Sequence, residues 1–184
     1  MIFDFFKKKE KMGIPTIKAN AQHKRDDKNK HKFFLNEITV LLKEAKIFKP
    51  EYIKNHVALY SKYIPFQGVN HALIYKSEHF EESLVEPKSK KEAKKIVELI
   101  IAVANARAYN QVELDGKKIL VNNVTIHFPN DSICCDEVLK YKKKLEKKSI
   151  PITKAPLFPL RSCINCDCKS PAQITFLYQI DMYS

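Results

Sequence analysis

Three of the five cysteines fall within "CINCDC", residues 163–168. Cys163 and Cys166 have the C-x-x-C spacing that brings two thiolates from one tight turn onto a zinc ion, and Cys168 lies in the same bend. A structural zinc site takes four ligands, so the spacing predicts Cys163, Cys166 and Cys168 with Cys135 as the fourth, or with His127 in place of the third. Cys134 and Cys135 are adjacent, and neighbouring side chains in extended chain point apart, which leaves one of them for the metal. The same cluster also reads as three loop thiols. A redox pair is the remaining reading, but the βαβ setting of a redox C-x-x-C is missing.

Cys134 and Cys135 open a helical pattern, "CCDEVLKYKKKLEKK". Backbone N–H groups at a helix start favour a thiolate, and His127 lies at the end of the preceding strand pattern. That pair sketches a cysteine-dependent hydrolase, without a third orienting residue or an oxyanion motif to complete it. Glu98, Glu113, Asp115 and Lys117 sketch a metal-dependent nuclease. Asp115-Gly116, however, has a sufficient explanation as a hairpin turn, with Lys117 as an exposed strand residue beside it.

Lysine supplies a third chemistry. The net charge is +12, and ten of those charges lie in two segments, +6 in residues 1–32 and +4 in residues 136–154. In the second segment Val138, Tyr141 and Leu145 mark a buried face of a helix over about 133–148. Lys140, Lys143 and Lys147 then fall opposite, at i, i+3 and i+7. A row of lysines at that spacing meets a phosphate backbone, and it is also the ordinary solvated face of an amphipathic helix. Lys24 and Arg25 extend the basic character into the N-terminal arm. Lysine offers point charges, and Arg25, Arg107 and Arg161 are the three arginines available for bidentate readout, so the pattern predicts low sequence specificity. The opening "MIFDFFKKK" sets Ile2, Phe3, Phe5 and Phe6 beside three lysines, a patch for an anionic membrane surface or for packing against the domain.

The elements that must position these residues follow from periodicity. Residues 1–32 read as a flexible basic arm, because "HKRDDKNKHK" at 23–32 offers little to bury. A single α+β domain is expected over 33–184, with a cysteine-containing C-terminal segment. Leu35, Ile38, Leu42 and Ala45 recur at helical spacing, Pro50 opens a second helix to about 63, and "HALIYK" at 71–76 reads as a strand. Ser89 and Glu92 form a capping box ahead of a core helix carrying Ala93, Ile96, Val97, Ile100, Val103 and Ala104. Residues 112–128 then read as a three-stranded antiparallel meander turning at Asp115-Gly116 and Asn122-Asn123. After a proline-rich stretch, "ITFLYQI" at 174–180 alternates as a last strand.

Apolar residues at 45% and charged residues at 29% are globular values. The sequence contains no apolar run of roughly 18 residues and no secretory h-region at its start, which predicts a soluble, cytoplasmic protein whose cysteines are thiols or metal ligands. The function expected is a basic nucleic-acid-associated binding protein of low sequence specificity with a small structural zinc site. The alternatives are the two enzymes above and a protein-interaction or membrane-peripheral adaptor.

Overall fold

Two long helices carry most of the core. In the computed structural model, which describes residues 14–61, 84–85, 90–165 and 174–179, α1 spans Ile14–Ala45 and α3 spans Lys90–Lys117. Between them lies α2, Pro50–Ser61, with Pro50 at its first position, where the missing N–H costs nothing. The buried stripe of α1 is Phe34, Ile38, Leu41 and Leu42. Against it α3 sets Ala93, Val97, Ile100, Ala104 and Ala108, all fully buried. Alanine at three of those positions lets the helix axes approach closely. From α2, Ile53 and Tyr60 complete this layer, with the Tyr60 ring edge-on to Phe34 at 6.3 Å.

A three-stranded antiparallel sheet is the second layer. Its order is β2-β1-β3, with β1 at Asn123–His127, β2 at Ser149–Pro151 and β3 at Thr175–Gln179. Val124 pairs with Ile150 on one side and Tyr178 on the other, and Ile126 pairs with Phe176. One face therefore collects Val124, Ile126 and Phe176, buried, while Thr175 and Leu177 point outward. The fold is α+β in one domain, with a single cluster of buried apolar residues running through helices and sheet. Among the described residues no helix is long and apolar enough to cross a membrane.

The connection from β1 to β2 carries α4, Asp136–Leu145, preceded by a 3-10 turn at Asp131–Ile133. Asp136 and Glu137 sit in its first turn and Lys142, Lys143 and Lys144 in its last, the charge order that complements a helix dipole. Val138 is buried, and Tyr141 meets Phe158 edge-on at 5.6 Å, as does Phe128. Phe158 is completely buried and precedes a cis proline at 159. A 3-10 segment at Arg161–Asn165 follows.

Three expectations change. Helix α1 starts at Ile14, so residues 14–32 of the expected flexible basic arm have helical backbone. Ala19, Ala21, Gln22 and the lysines are good helix formers, and once residues 33–45 are packed each further residue gains a hydrogen bond without new nucleation. Residues 112–117 are the end of α3, not the first strand of a meander. There the Asp115 carboxylate accepts hydrogen bonds from Gln111 at 2.8 Å and Lys118 at 2.6 Å, holding Asp115 within helical spacing of both. The sheet is antiparallel but not a meander: its strands come from 123–127, 149–151 and 175–179, and the middle one is first in sequence. "HALIYK" and Ser89 lie outside the described residues.

Candidate functional site

On α4, Lys140, Lys143 and Lys144 are exposed and occupy one stripe, i, i+3 and i+4, opposite buried Val138. Glu137, Lys140, Tyr141 and Lys144 line a shallow groove of about 320 Å³. Lys147 is exposed but leaves this row. It lies beyond Glu146, the C-cap of α4, with φ 61°, so the expected i+7 extension of the stripe ends in a left-handed residue. Lys148 follows it, also exposed.

Lys142 faces the other way and is structural. Its ammonium donates to the Asp131 carboxylate at 2.6 Å and the Pro129 carbonyl at 2.9 Å, tying α4 to the loop after β1. The Asp131 hydrogen bond holds its pKa above the ordinary lysine value. Lysines are thus sorted by position: Lys142 is bound inward, and its neighbours point to water. Lys24 and Arg25 lie on α1 by backbone, and their side chains are outside the described set.

The two other arginines converge on one carboxylate, Arg107 buried and Arg161 half-buried. Glu37, 1% exposed, accepts from Arg107 Nε at 2.7 Å and from Arg161 through Nη2 at 2.8 Å and Nε at 3.1 Å. Burial alone would raise the Glu37 pKa, but the hydrogen bonds from Arg161 and Arg107 outweigh it and hold the carboxyl below its ordinary value. Arg107 also donates through Nη1 to the carbonyls of Leu157 at 2.8 Å and Pro159 at 2.6 Å. Asn110 adds a bond to the Phe158 carbonyl at 2.8 Å. The proline-rich segment is therefore sewn to α1 and α3 by side chains that satisfy its backbone oxygens. Ser162 donates to Glu137, linking the same segment to α4. A platform of this kind holds the lysine stripe rigidly, because Phe158 and Ser162 both contact α4.

Sequence reasoning missed this cluster although the signal was present. Glu37 falls in the apolar phase of α1 between Phe34 and Ile38, and Arg107 in that of α3 beside Ala104 and Ala108. Two opposite charges placed in the buried stripes of two adjacent helices point at each other.

The cysteines divide. Cys163 is buried in the 3-10 segment, Cys134 and Cys135 are half-buried beside α4, and Cys166 and Cys168 lie outside the described residues. Among the described residues no three His, Cys, Asp or Glu side chains gather as metal ligands. The segment is attached by Arg107 and Asn110, which donate to its carbonyls, and by Arg161, which donates to Glu37. Cys134 also departs from the thiolate expected at a helix start. Its Sγ donates toward the Asn130 carbonyl at 3.5 Å, and burial is the main cause pushing the thiol up, with Lys142 opposing. The carboxylates do not gather into one site. Glu98 and Glu113 are on one helix, roughly 22 Å apart by helical rise, and Glu98 pairs with Lys94.

No protein-family model matches the chain, no curated protein matches its sequence, and no solved structure matches its fold.

Proposed function

We propose that this protein binds nucleic acid through its phosphate backbone, with low sequence specificity, using the outward stripe of α4. The carrying observation is the sorting of the lysines: Lys140, Lys143 and Lys144 stand exposed on a helix anchored from behind, while Lys142 holds the helix to the loop after β1. Lys147 and Lys148 extend the positive surface past the helix end. Each ammonium can neutralise one phosphate and release its counterions, a term indifferent to base sequence.

The arginines support the same reading from the other side. Base-edge recognition in a groove relies heavily on bidentate Arg, and Arg107 and Arg161 have their guanidinium groups committed to Glu37. A positively charged face without those two arginines favours positioning contacts over base readout. Tyr141, 37% exposed within the α4 groove, supplies an aromatic surface for a splayed base or sugar.

The test is replacement of Lys140, Lys143 and Lys144 together by Gln, with binding measured on several duplexes and single strands of unrelated sequence. The expected outcome is a comparable loss for every sequence, with the thermal midpoint unchanged. Loss on one sequence alone would replace this reading with base readout. Undiminished binding would remove α4 from the interface.

A further inference from the structure

A second surface lies on the opposite charge footing. Where Asp26, Asp27 and Lys30 of α1 face the last turns of α3, a cleft of about 620 Å³ opens over Tyr109 and Val112. The Lys30 ammonium sits 4.5 Å from the Tyr109 ring centroid, and Glu113 and Lys117 complete the rim. The turn after α3 forms one wall of the cleft with Ile119, 88% exposed, and Leu120, 67% exposed. Those are the two most exposed large aliphatic side chains among the described residues, and Tyr109 next to them is 57% exposed. Two adjacent apolar side chains held in water at the end of an ordered helix cost free energy unless something covers them.

We propose that this surface is the contact between two copies of the chain, with the Ile119–Leu120 turn of each copy seated in the cleft of the other. A projecting apolar turn that walls an open cleft is self-complementary under a two-fold axis, since the same rotation that seats one turn against its partner's cleft seats the second. Charge selects the same occupant. The chain as a whole is strongly positive, +12, so two copies repel over most of their surface. This rim, by contrast, carries three carboxylates, Asp26, Asp27 and Glu113, against two lysines, Lys30 and Lys117. Two copies turned face to face can set acids against lysines in both directions. A polyanion would meet the three carboxylates, and a uniformly basic partner would meet the lysines.

The inference rests on residues separate from the α4 stripe, so it stands or falls independently of the nucleic-acid reading. Its consequence would be two basic faces in one particle, which raises avidity on a long phosphate backbone without any new contact.

Sedimentation equilibrium of the full chain, at low salt and from low to high micromolar concentration, tests it. The expected result is an average mass rising from one chain toward two. Replacing Ile119 and Leu120 together by Asp should weaken dimerisation roughly 30-fold or more, the loss of a central apolar anchor. The circular dichroism spectrum should not change, because both side chains are in solvent within one copy. Two further variants read the charge pairing. Asp26→Lys with Asp27→Lys gives a basic rim, and Lys30→Glu with Lys117→Glu gives an acidic one. Each should be monomeric alone, and an equimolar mixture should recover the dimer. A wild-type chain that stays monomeric at the highest concentration overturns the proposal. So does a dimer indifferent to the Ile119 and Leu120 changes, or a mixture that fails to recover.

Discussion

Glu37 receives Arg107 from α3 and Arg161 from a segment 124 positions away in sequence, and this three-residue group closes the fold at its most buried polar point. Two positive charges against one carboxylate would be costly in an apolar interior, yet Arg161 is 39% exposed at its side chain and also lies 4.0 Å from Glu44. Water and Glu44 therefore share its charge, and Arg107 is left as the buried partner. Arg107→Met keeps the volume but removes the charge and three hydrogen bonds. It should cost about 3–5 kcal/mol in urea unfolding and raise proteolytic cleavage within 155–165. Glu37 itself contributes at neutral pH and above. Its folded pKa lies below the unfolded value, so its stabilisation is lost only as pH falls from the ordinary carboxylate range through that lower folded pKa. His56 titrates in a different window. It is buried against Phe48, ring centroids 4.2 Å apart, and burial pushes its pKa down to about 4. The neutral ring is favoured in the fold, so stability is full above about pH 6.5 and falls from there toward pH 4. His56→Leu should flatten the urea midpoint across that interval while leaving the steeper loss below it. A variant with the same pH profile as the wild type would contradict this account of His56.

Among the elements, α3 is the one whose end the sequence misplaces, and Gly116 offers a direct check. A Cβ there would meet nothing within 4 Å, and the residue is helical. Gly116→Ala should therefore stabilise the protein by about 0.4–1 kcal/mol, through a lower cost of fixing the helical backbone. In a tight hairpin turn with positive φ the same change would destabilise it, so the sign of the shift in chemical denaturation distinguishes the two. What was legible and what was not follows from which forces act locally. The stripe Ala93, Val97, Ile100, Ala104 declared α3 because burial of one face imposes its period on the sequence. The alternation Ile174, Phe176, Tyr178 declared β3 for the same reason, and α2 came from Pro50 and its apolar face. Asp115-Gly116 misled because a dipeptide turn preference is weaker than the continuation of a packed helix whose Asp115 bonds to Gln111 and Lys118. Strand β2 was invisible: three residues, Ser149–Pro151, have no period to read, and the β1 register alone makes them a strand. The α4 stripe was legible as a helix face, but the departure of Lys147 was not, since a left-handed residue after a helix carries no mark when it is not glycine.

Among the described residues charge is segregated by depth as well as by face. Arg107 and Arg161 are committed to Glu37 and Lys142 to Asp131, while the lysines that remain outward on α4 form the phosphate-binding surface of the proposed function. The aromatic packing of Phe128 and Tyr141 on Phe158 holds that surface in place, so binding should require no folding of α4. Lys142→Gln separates the two roles. It should lower the thermal midpoint by removing the tie to Asp131 and Pro129, and change affinity far less than the triple Gln variant of Lys140, Lys143 and Lys144. The most direct measurement is the salt dependence of duplex binding by the wild type and by that triple variant. If the three lysines each neutralise a phosphate, their share of the affinity falls roughly 40-fold between 50 and 200 mM salt, and the variant's log–log slope is shallower by about 2.7. Equal slopes for the two proteins, or binding by the wild type that is indifferent to salt, would contradict a phosphate-binding role for α4.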